Sequence, residues 1–124
     1  GVFVGKVAAV FPRFSLVLPL TDSQSAVAAT ASGTDVQAVA RGRNGSGLSL
    51  ELVAPDAPVA AGDVVATSLL EEQTPAGLLI GAVATIEYVE GELFKRAELS
   101  PFASLAELSE VVIFVPFSPD SEEE

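Results

Sequence analysis

The chain has 124 residues, 49% of them hydrophobic, and a formal net charge of −11. That length allows one domain or two very small ones, and the apolar fraction excludes a disordered chain. With 6 basic against 17 acidic residues, and basic pairs only at Arg41/Arg43 and Lys95/Arg96, the surface is unsuited to nucleic acid or an anionic membrane.

In chain order, the run Val2 to Val10 reads as a strand. Phe3 alternates there with Gly1 and Gly5 and is assigned to the core, while Lys6 is expected to face solvent. Phe11-Pro12-Arg13-Phe14 connects this strand to the next apolar run, Leu16 to Leu20. Aromatic residues in a connection are poorly placed for burial, so Phe11 and Phe14, with Arg13 between them, are candidate partner-binding residues. After a turn at Asp22-Ser23, Thr34 to Ala40 alternates through Val36, Ala38 and Ala40. Gly42 to Gly47 has the outer spacing of a phosphate-binding loop, but Leu48-Ser49 follows where the phosphate-reaching Lys would stand. Asn44-Gly45 is a favoured hairpin dipeptide, and a turn explains it better than a glycosylation acceptor does.

Leu48-Ser49-Leu50-Glu51-Leu52 alternates cleanly, with the leucines expected on one face. Turns are expected at Ser32-Gly33, Pro55-Asp56, Ala61-Gly62-Asp63, Pro75-Ala76-Gly77 and Glu90-Gly91. Between them lie strands at Val64 to Ala66 and Leu78 to Ile86, with an exposed loop at Glu71-Glu72-Gln73. Ser104-Leu105-Ala106-Glu107 has capping-box spacing and predicts one short helical turn before the run Val111 to Val115. Residues from Ser118 to Glu124 form an acidic tail with little to bury. Many short strands with regular turns describe an all-β fold, a mostly antiparallel barrel or sandwich.

The chain contains no His and no Cys, which removes Ser-His and Cys-His catalysis and His-based metal sites. Its carboxylates are dispersed, without calcium-loop spacing or a paired acid and base. No catalytic, metal-binding or cofactor-binding residue is therefore assigned. The longest purely apolar run, Val111 to Val115, is far short of a membrane span. A chain that begins with Gly and lacks Met reads as a processed product or a fragment.

Gly62-Asp63-Val64-Val65-Ala66-Thr67-Ser68 through Gly77-Leu78-Leu79-Ile80-Gly81 resembles a segment of the type GD-x-VVTSGLEE-x-x-P-x-GLLIG-x-V, which belongs to the rod shape-determining MreC family. Gly1 to Val7 resembles that family's G-V-L-V-G-x-V strand, and Ser15 to Asp22 its S-x-V-L-L-L-T-D. Gly45 to Leu52 is similar to G-x-G-L-x-M-E-L, and Leu93 to Pro101 to the closing L-F-x-x-A-x-V-x-P. Leu69 stands where Gly is common, and Pro19 where Leu is common. The order of these blocks carries the resemblance, since each alone is only apolar residues and turns.

The resemblance implies small six-stranded β-barrel domains in two units. One is expected over 23–89, and the other, incomplete here, from 1–22 with 90–117, so that Val2 to Val10 and Val111 to Val115 would share a sheet. It further implies that a cytoplasmic end, a transmembrane helix, a coiled coil and the first β strands precede this segment in the whole protein. The implied role is a non-catalytic scaffold on the extracytoplasmic, periplasmic face of the inner membrane. Its implied partners are the elongation penicillin-binding protein, MreD and, indirectly, MreB. Strand addition at an open edge predicts a homo-oligomer. The alternative is a glycan- or small-ligand-binding barrel module, for which one Tyr and no Trp offer few stacking platforms.

Overall fold

The computed structural model describes residues 1–31, 34–43, 47–71, 74–88, 90–103 and 107–115. Among these residues eight strands appear in this order: β1 Gly5–Val10, β2 Ser15–Pro19, β3 Ala26–Ala31, β4 Gln37–Arg43, β5 Gly47–Val53, β6 Val64–Thr67, β7 Leu79–Glu87 and β8 Lys95–Pro101. β1 and β2 form a separate antiparallel hairpin; the other strands close into a barrel in the order β3-β4-β5-β8-β7-β6, every neighbouring pair antiparallel. The fold is all-β, and no α-helix occurs among the described residues. Ser104, Leu105 and Ala106 of the expected helical turn, the Ser32-Gly33 and Asn44-Gly45 turns, and the acidic tail lie outside the described residues.

Alternation decides which side chains fill the barrel. Val27, Ala29 and Ala31 of β3 point inward, as do Ala38 and Ala40 of β4, Leu48 and Leu50 of β5, Ile80 and Val83 of β7, and Ala97 and Leu99 of β8. A six-stranded barrel is too narrow for large residues on every strand, so alanines on β3, β4 and β8 face leucines and isoleucine from β5 and β7. The interior is packed side chain, and one stretch of the outer face is polar: across β4, β5 and β8, Arg41 lies beside Ser49, itself buried, which lies beside Glu98. Arg41 also pairs with Glu51 at 3.2 Å, and Glu51 accepts a hydrogen bond from the Ser49 hydroxyl at 2.9 Å.

The alternation breaks within β5. β5 advances from Leu50 to Val53 while β8 advances only from Ala97 to Lys95, so β5 carries an extra residue there. Leu52 adopts φ 60°, its side chain is 52% exposed, and Val53 takes the inward place. This corrects the expectation that Leu48, Leu50 and Leu52 share one buried face: a bulge shifts the phase by one residue.

The division into units also differs from the expected boundaries. β8, placed by sequence in the outer unit, closes the barrel between β5 and β7. The physical reason is closure: without β8, β5 and β7 would each present an unpaired edge, and Ala97 and Leu99 would leave the core. Residues 111–115 form no strand, and β1 pairs with β2 alone, so Val2 to Val10 and Val111 to Val115 do not share a sheet among the described residues.

The expected turns at Asp22-Ser23 and Ala61-Gly62-Asp63 form through aspartate side chains. Asp22 accepts from the Gln24 amide at 2.8 Å, and Asp63 accepts from the Ala60 amide at 2.9 Å. Gly77, at φ 83°, supplies the left-handed position that the Pro75-Ala76-Gly77 turn requires.

Candidate interaction surface

The hairpin is joined to the barrel at its base. Phe3, assigned to the core by sequence, is buried in the barrel's apolar cluster, and so is Leu20 just past β2. The Phe3 amide donates to the Leu79 carbonyl at 2.7 Å, the Leu79 amide to the Gly1 carbonyl at 2.8 Å, and the Leu20 amide to the Val4 carbonyl at 2.8 Å. The chain then crosses β4 at Gly42, where a Cβ would lie 2.1 Å from the Asp22 carbonyl oxygen and 2.6 Å from that of Leu20. The Gly42 amide donates to the Ser25 carbonyl at 3.1 Å. Gly42 is thus a close-approach residue, a role that its turn-and-loop spacing in the sequence did not reveal.

Beyond that base, the hairpin stands out with apolar residues on both faces. Register puts Val7 opposite Val17 on one face, and Lys6 opposite Leu18 with Leu16 on the other. Val7, Val10, Val17 and Leu16 are all exposed, Val10 by 76%. At the tip the Phe11 amide donates to the Phe14 carbonyl at 2.8 Å, and the two rings stack with centroids 4.8 Å apart. Phe11 and Phe14 are 44% and 59% exposed, and Arg13 between them is exposed. The structure therefore brings the three sequence-derived candidates together at one end of the hairpin.

The polar residues of the β6–β7 connection escaped the sequence reading, which treated that segment as an exposed loop. Thr67 and Ser68 are buried. The Thr67 hydroxyl donates to the Pro75 carbonyl at 2.7 Å and accepts from the Leu78 amide at 2.9 Å, so it bridges both sides of the turn. Ser68 donates to Gln37 Oε1 at 2.6 Å and accepts from the Leu70 amide at 3.0 Å. Glu71 Oε2 accepts from the Ala28 amide at 2.6 Å, and its Oε1 pairs with the Lys6 ammonium. Lys6 faces solvent as expected, its side chain 43% exposed, and is also ion-paired. Strand periodicity is blind to such bonds because it scores only apolar positions; Thr-Ser followed at short range by Glu was the one available signal. Thr67→Val keeps the shape but removes the partner of the Leu78 amide and the Pro75 carbonyl, and should cost about 1 kcal/mol in a chemical denaturation series.

Leu69 and Leu70 project from this knitted loop into solvent. Among the described residues no group of three or more His, Cys, Asp or Glu could hold a metal ion. None of the described helical segments is long and apolar enough to cross a membrane.

A closed barrel, a hydrogen-bonded loop and an exposed apolar hairpin define a small β-barrel module. Residues 1–115 match the family model described as rod shape-determining protein MreC, barrel core, and the chain belongs to that family. Among solved structures it is similar to MreC from Pseudomonas aeruginosa, at 28% identity and a TM-score of 0.71 over 80% of this chain and 66% of that one. Another chain titled MreC has 29% identity and a TM-score of 0.71 over 79% of this chain and 57% of that one. MreC in a complex with penicillin-binding protein (PBP2) from Helicobacter pylori has 26% identity and a TM-score of 0.69 over 85% of this chain and 66% of that one. The chain thus spans 57–66% of the length of these solved relatives. Comparison with curated proteins gave no match. The family is one of cell-shape proteins, named for determining rod shape.

Proposed function

We propose that this chain is a non-catalytic scaffold segment of the bacterial cell-wall elongation machinery, working on the extracytoplasmic face of the inner membrane. The observation that carries this reading is the β1–β2 hairpin, apolar on both faces and tipped by the stacked Phe11 and Phe14. An exposed strand pair of that kind is unfavourable in water unless another protein covers it. The relative from Helicobacter pylori is titled as a complex with a penicillin-binding protein, which supports the elongation transpeptidase as one partner. In the same proposal MreD and, indirectly, MreB belong to the wider assembly, and copies of the chain associate with one another. The hairpin is then part of a second unit whose remaining strands come from outside residues 1–115, and Phe11, Arg13 and Phe14 lie on its contact surface.

The test is co-purification with the elongation penicillin-binding protein of the same bacterium. Wild-type chain should retain that protein, and a Phe11→Ser, Phe14→Ser double variant with Arg13→Ala should lose it while its circular dichroism stays unchanged. Equal retention by both chains would remove the hairpin tip from the contact.

A further inference from the structure

β6 stops at Thr67, so β3 runs on without a neighbour on that side. The Ser68 amide still reaches the Ala28 carbonyl at 3.0 Å, but the Ala28 amide meets no backbone acceptor there; it donates to the Glu71 carboxylate at 2.6 Å. One carboxylate oxygen thus stands in for the next acceptor of the ladder. The other oxygen holds the Lys6 ammonium at the start of β1. The Glu71 side chain is only 14% exposed, against 43% for Lys6, so the acid is fixed from the barrel side and the lysine comes to it. The Glu71 amide also donates to the Ser68 carbonyl at 3.1 Å, and Ser68 is itself bonded to Gln37 of β4. The carboxylate is therefore anchored through two barrel strands.

From this geometry we infer that Glu71 is a positioning residue that sets the angle at which the β1–β2 hairpin leaves the barrel. Its consequence for binding rests on the proposal that the hairpin is a contact surface. The other ties at the base are made by residues before β1 and after β2, Gly1 and Phe3 to Leu79 of β7 and Leu20 in the barrel core, and act as a hinge line. Lys6 is the point on β1 where a side chain fastens the hairpin to the barrel. From Lys6 to Phe11 the strand reaches about 16 Å at roughly 3.3 Å per residue, so a tilt of about 10° at the base moves the tip by about 3 Å. Fixing that angle presents Phe11, Phe14 and Val10 in one orientation and removes part of the ordering cost of association.

The absence of Cys from the chain makes the angle measurable. Spin labels on Ser15→Cys near the hairpin tip and Ser100→Cys on β8, both exposed, report the distance between hairpin and barrel by double electron–electron resonance. The labelled chain should give a single narrow distribution. Lys6→Met should broaden or shift it by about 3 Å or more, following the lever arm above, with the melting curve of the barrel retained. Glu71→Gln, which keeps an acceptor for the Ala28 amide, should broaden it too, and Lys6→Arg should restore the narrow form. A Lys6→Met distribution superimposable on that of the parent, or Lys6→Arg as broad as Lys6→Met, would overturn the inference. The distance is read without a partner, so a failed latch and a failed contact surface are separately visible.

Discussion

Gly42→Ala should lower the melting temperature by roughly 10–20 °C, corresponding to about 3 kcal/mol in a domain of this size. The added methyl would meet backbone atoms of residues 20–22, among them the Asp22 carbonyl at 2.1 Å, and no side-chain rotation relieves such an overlap. Either β4 moves outward, which opens its ladders with β3 and β5, or the crossing segment lifts and pulls Leu20 from the core. Leu50→Ala, a fully buried truncation, sets a comparison scale of about 2–5 kcal/mol. The two should differ in kind: lifting the crossing disturbs the hairpin, whereas the cavity does not. Amide exchange of β1 and β2 should accelerate in Gly42→Ala well before global unfolding and stay near normal in Leu50→Ala. An alanine variant as stable as the parent would mean that the crossing does not press on β4.

The second large effect concerns association. Val10→Glu with Val17→Lys places charge on the exposed hairpin, where it is fully hydrated in the free chain and buried in any assembly built on that surface. Association should weaken by roughly a hundredfold, equivalent to about 2.7 kcal/mol, and sedimentation equilibrium should report a monomer with an unchanged circular dichroism spectrum. A charge added on the barrel by Ser100→Glu should leave association unaltered, because Ser100 is already an exposed polar residue and β8 lies paired between β5 and β7. A parent chain that sediments as a strict monomer at high concentration would remove the hairpin as a self-association surface.

How far the sequence revealed this molecule depended on what each residue was doing. Alternation located β4, β5 and the inward faces, and Phe3 was legible because it alternated with two glycines. Leu52 was misread because a bulge is a local backbone event; five alternating letters look the same with or without the extra residue that turns Val53 inward. The position of β8 was hidden for a different reason. Its residues, Lys95 to Pro101, include none that is β-branched or aromatic, and which strands it joins depends on closing β5 against β7, which no local pattern carries. At the hairpin tip, the placement of Phe11 and Phe14 in a connection pointed toward exposure, though not toward their ring stack. Thr67, Ser68 and Glu71 went unread because their roles are hydrogen bonds to distant backbone, at Pro75, Leu78 and Ala28, and a polar residue that serves the fold is written like one that faces water.

The seat of β8 between β5 and β7 has a consequence for how the chain is made. Residues 95–101 leave the ribosome last among the barrel strands, yet they are the piece that joins two strands already synthesised. Until they emerge, β3 to β7 form an open sheet with β5 and β7 at its free margins, and Leu48, Leu50 and Val83 lack Ala97 and Leu99 to pack against. Contacts this distant along the sequence form slowly, and an open margin invites pairing with a neighbouring nascent chain. The vulnerable moment for this barrel is therefore the interval before β8 arrives.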